Sequence, residues 1–392
     1  MQNKIPHINP SITFNKLSDN EFILCNTLHK HYLKINKDTY DLLSLIDNER
    51  SLQEICELHN QQSEKELTVN ALHFLLYDKL SKYGLLVGEE EQIKPYQKPS
   101  YLKLSFIIFS KRFIAKITPS LHFLFRKKIA FPLLILCAVM IGTELYLLLD
   151  GYKSFKVQES VIFFLVVMAI SVTFHELGHA TAASHFGAEH GGIGGGFYLF
   201  TPVYFADVTD VWRLKKWQRV VVNCAGMYFE IIFCTLLSLV GLLLGQISLT
   251  LIAIIVCLHT FFNLNPFLRS DGYWILSDIT NKPNLLQHSF RKIGDVFKMI
   301  KGKKVQWTKI DFLLLVYGLI SYSFIVLFVY YVLFKNPHSI LNFPQNLYHF
   351  LKSLCNKDAT ISLVSFGELI VPMLFFYLLF SFLKSILRKK KI

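Results

Sequence analysis

Hydrophobic and polar positions change rhythm twice along this chain. At first apolar and polar residues alternate, in Ile12-Thr13-Phe14, Phe22-Ile23-Leu24 and Tyr32-Leu33-Lys34-Ile35, which predicts three short strands in a hairpin sheet. Helical spacing follows. Asp38 opens a stretch through Leu42, Leu43 and Leu45-Ile46, Ser51 is placed to cap a second with Ile55 and Leu58, and Leu67 to Leu80 forms a third. Tyr83-Gly84-Leu85-Leu86-Val87 then reads as a closing strand. Strands first, three helices and a returning strand predict a small α+β winged-helix domain over residues 1–98.

Residues 99–130 carry a second rhythm. The linker around Pro95 and Pro99 gives way to Leu102 to Phe125, where Phe, Ile and Leu mix with Lys103, Lys111, Arg112 and Lys116, an interfacial rather than spanning pattern. Beyond it the apolar runs lengthen. Phe131 to Leu149, Val161 to Ala183, Val220 to Leu244, Ser248 to Leu264, Phe312 to Phe334 and Ile361 to Leu383 predict six membrane helices. The fold class expected is an α-helical polytopic membrane protein of about six spans with a small α+β domain in front.

Composition agrees, with a mean hydropathy of +0.38 and 52% hydrophobic residues, and charge adds orientation. Lys+Arg number 41 against 28 Asp+Glu, a net charge of +13, and the excess is clustered. Arg126-Lys127-Lys128 precedes the first span, the loop Lys282 to Lys309 is strongly basic, and Arg388-Lys389-Lys390-Lys391 ends the chain. All three fall on the cytoplasmic side if both termini are cytoplasmic, the multi-pass cell-membrane topology expected here. The first hundred residues hold no apolar run fit for a signal peptide or anchor, so they are expected to stay where they are made. Acids outnumber bases between Asp38 and Glu66, which disfavours nucleic acid as a partner of the winged helix. The seven cysteines are scattered without a C-x-x-C pair, so neither a disulfide framework nor a cysteine metal site is expected.

Candidate chemistry lies inside the second predicted span, which contains His175, Glu176, Leu177, Gly178 and His179, an H-E-x-x-H pattern. Positions four apart share a helix face, so both imidazoles can hold one Zn²⁺ while Glu176 acts as base on its water. Two His and a Glu in hydrocarbon are costly unless metal-bound, paired or facing a cavity, which makes the cluster functional by default. A third ligand is needed. Asn265-Pro266 ends the Ser248 to Leu264 run and Asp271-Gly272 can turn a carboxylate inward, so Asp271 is the candidate. With the expected topology His175 lies about 21 Å into its span, and the fourth span delivers Asp271 to the same face. Asn265 has two readings, steadying an oxyanion or capping the broken helix. The Gly191 to Gly196 stretch with Val203-Tyr204-Phe205 predicts a flexible turn and short strands, with Gly194, Gly195 and Tyr204 as candidates for holding substrate. Glu230, an intramembrane carboxylate, needs a partner such as Asn223 or His259, and helix–helix bonding is the favoured role.

Together the H-E-x-x-H and N-P-x-x-x-x-D-G motifs resemble the site-2 protease family of intramembrane zinc metalloproteases, over roughly Phe131 to Asp278. The stretch Pro202 to Arg213 and Ala225-Gly226-Met227-Tyr228-Phe229-Glu230 is similar to the peptide zinc metalloproteases of the YydH type. The resemblance implies a three-helix proteolytic core, here residues 161–278 of a membrane domain 131–392, with one Zn²⁺ per chain on His175, His179 and Asp271. It also implies a hairpin beside the zinc that pairs with an unwound substrate. Residues 1–98 resemble PqqD-like domains, which implies binding of the leader of a ribosomally made precursor peptide along a strand edge. The function expected is cleavage of such a precursor, modified or not, at the cytoplasmic side of the lipid bilayer, with a peptide-modifying enzyme and an exporter as candidate pathway partners. The alternatives are regulated cleavage of a membrane-anchored regulator or signal-peptide remnant and, without enzymatic activity, a zinc-stabilised immunity or export factor.

Overall fold

The computed structural model describes residues 2–63, 66–89, 93, 102–151, 161–198, 201–267, 269–282, 284–355, 369 and 371–380. Its contacts divide the chain into two compact units: Met1–Ser100, Ser105–Gly195 and Tyr204–Asn281 in the first, Tyr101–Leu104, Gly196–Val203 and Lys282–Ile392 in the second.

The first unit begins with the predicted sheet. Strands β1 (Ile12–Ser18), β2 (Glu21–Asn26) and β3 (His31–Asn36) pair antiparallel in that order, with Phe14 opposite Leu24 and Leu24 opposite Leu33. Alternation sends Phe22, Leu24 and Ile35 inward against Leu43, Leu52, Ile55, Leu72, Leu76, Leu85 and Leu86, a single apolar core. Helix α1 (Lys37–Ser44) starts where Asn36 accepts the Thr39 N–H, and α2 (Leu52–Gln62) starts behind a reciprocal Ser51–Glu54 capping box. The third, α3 (Val69–His73), is capped by Thr68 and continues in wider turns through Phe74–Leu80. The predicted closing strand is reduced to a short pairing, with the Asn9 N–H donating to the Leu85 carbonyl at 2.8 Å and the Val87 N–H to the His7 carbonyl at 2.9 Å. Gly84 takes a left-handed φ of +74°, Asn26 Nδ2 donates to the Tyr83 carbonyl, and only Leu86 makes a bridge, to Ile8. A left-handed residue in mid-stretch breaks the extended backbone a ladder requires.

The predicted interfacial segment contains a strand and then a helix. Leu102–Phe109 is a strand, β4, and it lines up with β5 (Ile193–Tyr198) and β6 (Thr201–Ala206) in the order β4-β5-β6. Its run of Phe106, Ile107 and Ile108 has the β-branched and aromatic content of a strand. Helix α4 (Lys111–Leu121) follows, capped by Ser110, and buries Ile114 with Ala180 and Ile193.

The apolar runs form α5 (Lys127–Gly151), α6 (Val161–His185), α7 (Lys216–Leu243), α8 (Ile247–Phe262) and α11 (Lys309–Tyr330), with α9 (Asp271–Thr280) and α10 (Leu285–Ile300) between the last two. Among the described residues four helices are long and apolar enough to cross a membrane: Lys127–Tyr146, Phe163–His185, Lys216–Leu243 and Lys309–Lys335. Six spans are therefore not seen. At 16 residues α8 is about 24 Å long, short of the roughly 30 Å core, and the run Ser248 to Leu264 read from the sequence is itself only about 26 Å as a helix. Of the sixth predicted run only Leu369 and the apolar helix Val371–Phe380 are described; the rest, most of the linker around Pro95 and Pro99, and the basic Arg388–Lys391 end lie outside the described residues.

Small residues let α6 and α7 approach closely. A methyl group on Gly178 would sit 2.3 Å from the Ala225 carbonyl oxygen, so glycine in H-E-L-G-H is a packing requirement between these helices. Helix α9 is tied to α7 by a buried Arg219–Asp278 ion pair of 2.6 Å and by Asn223 Nδ2 donating to Asp278 at 2.9 Å. In the second unit, α10 packs on α11, with Lys292 paired to Asp311 at 2.9 Å and Gly318 against Ser289.

Candidate metal centre

On α6 the four-residue spacing sets the His175 and His179 Nε2 atoms 3.2 Å apart, and both side chains are buried. Asp271 comes from the other side, with Oδ2 2.9 Å from His175 Nε2 and Oδ1 3.3 Å from His179 Nε2. One donor atom from each of these three residues lies within 4.8 Å of the others.

The turn that delivers Asp271 is built locally. Helix α8 stops at Phe262, Asn265 Oδ1 accepts the Phe267 N–H at 2.9 Å, and the Asn265 carbonyl accepts the Ser270 hydroxyl at 2.6 Å. The chain doubles back so tightly that the Gly272 N–H donates to the Asn263 carbonyl at 2.7 Å. A methyl group on Gly272 would sit 2.1 Å from the Leu264 carbonyl oxygen, which explains the glycine after the aspartate by close approach. Asn265 is thus the side chain that orders this turn.

Hydrogen bonds on the far side of each ring settle which nitrogen faces the cluster. His179 Nδ1 lies 2.8 Å from the Val222 carbonyl, which only accepts, so its Nδ1 carries the proton. His175 Nδ1 lies 2.9 Å from Glu230 Oε2, and the same assignment follows. In the neutral rings that a metal requires, both Nε2 atoms then present lone pairs to each other and to a carboxylate. Consistent with this, Asp271 Oδ2 receives no hydrogen bond although His175 Nε2 is 2.9 Å away. Three converging lone pairs repel one another unless a cation lies among them. Tetrahedral zinc with bonds of about 2.0 Å separates its ligands by about 3.3 Å, close to the spacings found here, and N,N,O donors leave the fourth position for water. The residues present fit zinc. Gly226 of α7 makes the space, since a methyl group there would sit 2.5 Å from both Nε2 atoms.

Glu176 is buried next to the cluster without joining it, and the Ala206 N–H at the end of β6 lies against its carboxylate. Three of the five glycines of the predicted flexible turn, Gly194, Gly195 and Gly196, are strand residues instead. Gly194 lets β4 approach, with its added methyl 2.3 Å from the Phe106 carbonyl oxygen, and Gly195 faces the Phe106 ring. Strand β5 is thus covered on both sides, and β6, which carries the half-buried Tyr204, lies at an edge of the sheet.

Glu230 corrects an expectation. Its partners are Ser171 Oγ at 2.9 Å and His175, not Asn223 or His259, because its position on α7 faces α6 while Asn223 faces Asp278. Sequence reasoning missed Gly226 and the Val222 carbonyl altogether. A glycine followed four residues later by a glutamate, both facing a histidine-bearing helix, was the available signal.

The strand β6 leads into a second polar group. Lys30, in the turn between β2 and β3, pairs with Asp207 at 2.6 Å, and the Tyr32 hydroxyl donates to Asp210 at 2.9 Å. Asp210 also accepts the Glu189 N–H at 2.7 Å and pairs with Arg213 at 2.8 Å. Burial pushes the Asp207 carboxyl up, but hydrogen bonds from Lys30 and Thr209 outweigh it and hold the pKa below the ordinary range. Burial, and then the Asp210 carboxylate it donates to, raise the Tyr32 phenol, which stays a donor.

Over 207 residues, 50% of this chain and 79% of the other, the sequence is 26% identical to a Bacillus subtilis (strain 168) protein named "Putative peptide zinc metalloprotease protein YydH". No protein-family model and no solved structure matches the chain.

Proposed function

We propose that the chain is a zinc-dependent endopeptidase of the site-2 protease type, with one zinc held by His175, His179 and Asp271 and with Glu176 as the proton carrier. The observation that supports this reading most is the convergence of two imidazoles on a helix apolar enough for a membrane with a third donor, Asp271, at the start of α9, and with a buried carboxylate beside them that is not needed as a ligand. A purely structural zinc site would close its fourth position and would need no such carboxylate. The likeness to a protein named as a peptide zinc metalloprotease points the same way.

Bound in this cluster, zinc supplies Lewis-acid polarisation of the scissile carbonyl and acidifies water. Glu176, one residue from a ligand, takes a proton from the attacking water and returns it to the departing amine nitrogen. Asn265 holds the turn that presents Asp271. The substrate proposed is a ribosomally made precursor peptide cut on the cytoplasmic side and held by residues 1–98. Support for that placement comes from the Lys30 and Tyr32 contacts, which seat the β2–β3 hairpin on the segment leaving β6, next to Glu176. The basic clusters support the orientation.

The test is metal content and cleavage measured together. Purified wild-type protein should carry one zinc per chain and cut a full-length precursor, and Glu176→Gln should keep the zinc and lose cleavage. Wild type without zinc, or a Gln variant with full turnover, would sink the proposal.

A further inference from the structure

The two histidines of the centre are held differently from behind. His179 donates to a neutral backbone carbonyl, whereas His175 donates to Glu230, a carboxylate only 1% exposed. Both oxygens of Glu230 are occupied from α6: Oε2 by His175 Nδ1 and Oε1 by the Ser171 hydroxyl, each at 2.9 Å. Ser171 and His175 are four residues apart and so share one helix face, and on α7 Glu230 follows Gly226 by the same spacing. One face of α7 therefore first clears room for the Nε2 atoms and then, a turn later, grips the His175 ring. Nothing in helix packing requires a carboxylate here. A serine or asparagine would bond Ser171 and bury more cheaply than a group that favours charge.

Resting on the zinc reading above, we infer that Glu230 is a positioning residue of the metal centre. It fixes the proton on His175 Nδ1, aims the Nε2 lone pair at Asp271, and makes the imidazole a stronger donor. With zinc bound, its two positive charges face two carboxyl groups, Asp271 directly and Glu230 through the imidazole ring. This explains why a costly side chain is kept in an apolar helix, and why its partner is a ligand and not a neighbouring polar residue of α8.

The experiment measures zinc affinity by competition with a chromogenic chelator, together with the absorption spectrum of the cobalt-substituted protein and the unfolding temperature of the metal-free form. Glu230→Gln keeps the shape and one acceptor oxygen, which can hold the His175 Nδ1–H while its amide N–H donates to the Ser171 hydroxyl oxygen, but it loses the charge. It should weaken zinc roughly 10- to 100-fold and shift the cobalt bands, with the metal-free protein at least as stable as wild type. Ser171→Ala, which frees one oxygen of Glu230 without touching His175, should weaken zinc only a few-fold. Glu144→Gln serves as control: Glu144 is a second buried intramembrane glutamate, bonded to Ser238 instead of a histidine, and its loss should leave affinity and spectrum unchanged. Wild-type affinity and spectrum in Glu230→Gln would overturn the inference while leaving the zinc site itself intact. An equal loss in Glu144→Gln, or destabilised metal-free Glu230→Gln and Ser171→Ala with normal zinc affinity, would overturn it too, since Glu230 would then be a packing residue. A wild type that binds no zinc would instead refute the function proposed above.

Discussion

The two ends of α9 carry two aspartates seven residues apart, Asp278 buried and Asp271 half-buried, and their surroundings differ in kind. Asp278 faces donors, the Arg219 guanidinium at 2.6 Å and the Asn223 amide at 2.9 Å. Asp271 faces the Nε2 atoms of two imidazoles, and one of its oxygens lacks a hydrogen-bond partner. The first site is complete without help; the second is electrostatically unfinished until a cation joins it. A buried polar group with every partner present holds a fold together, and one whose missing partner must be positive marks a place for a metal.

Removing each carboxylate's reason to exist should separate the two. Asp271→Ala should lose zinc and cleavage by more than the roughly 100-fold typical of an outer partner, and the metal-free protein should be no less stable than wild type. Zinc stoichiometry after dialysis against a weak chelator checks this, and full occupancy would remove Asp271 from the site. Arg219→Ala should do the reverse. Leaving Asp278 buried without its guanidinium should cost about 3–5 kcal/mol of stability whether or not zinc is present. Denaturation in matched detergent, with and without metal, is the measurement, and an effect confined to the zinc-loaded form would merge the two ends into one site.

The smallest effect is expected where the pair is wetter. Lys30 and Asp207 keep 44% and 27% of their side-chain surface, so Lys30→Ala should cost no more than about 1 kcal/mol. Because the Asp207 pKa is lowered in the folded protein, the pair contributes above the ordinary carboxylate range and is lost only as pH falls through the lowered value. At neutral pH the variant should raise KM for a full-length precursor a few-fold and leave kcat unchanged, as a seating contact would. A drop in kcat with unchanged KM would place the contact in the chemistry instead.

Much of this was legible in order. Alternation found β1 to β3, Asn36 and Ser51 sit at helix starts as their chemistry prescribes, and the four long apolar helices fall where hydropathy placed them. The metal candidates were legible because the i, i+4 rule is local, and because an apolar helix leaves few excuses for two histidines. That Leu102–Phe109 is a strand was not legible, since the partner that makes it one, β5, lies about ninety residues further along the chain. Tyr83–Val87 pairs over only part of its length since one glycine in a left-handed turn interrupts the extended backbone.

What the sequence by itself determined is most of the elements and the pairing of His175 with His179 on one helix face, both of which depend on spacings within ten residues. Only the tertiary structure decided which partner each polar side chain receives: Glu230 to His175 and not to Asn223, Asp278 to Arg219, the Val222 carbonyl to His179, and Gly226 opposite both rings. Those choices depend on how α6, α7 and α9 rotate and cross. The rotation is set by small-residue contacts such as Gly178 against Ala225, whose partners are 47 positions away and carry no local signature.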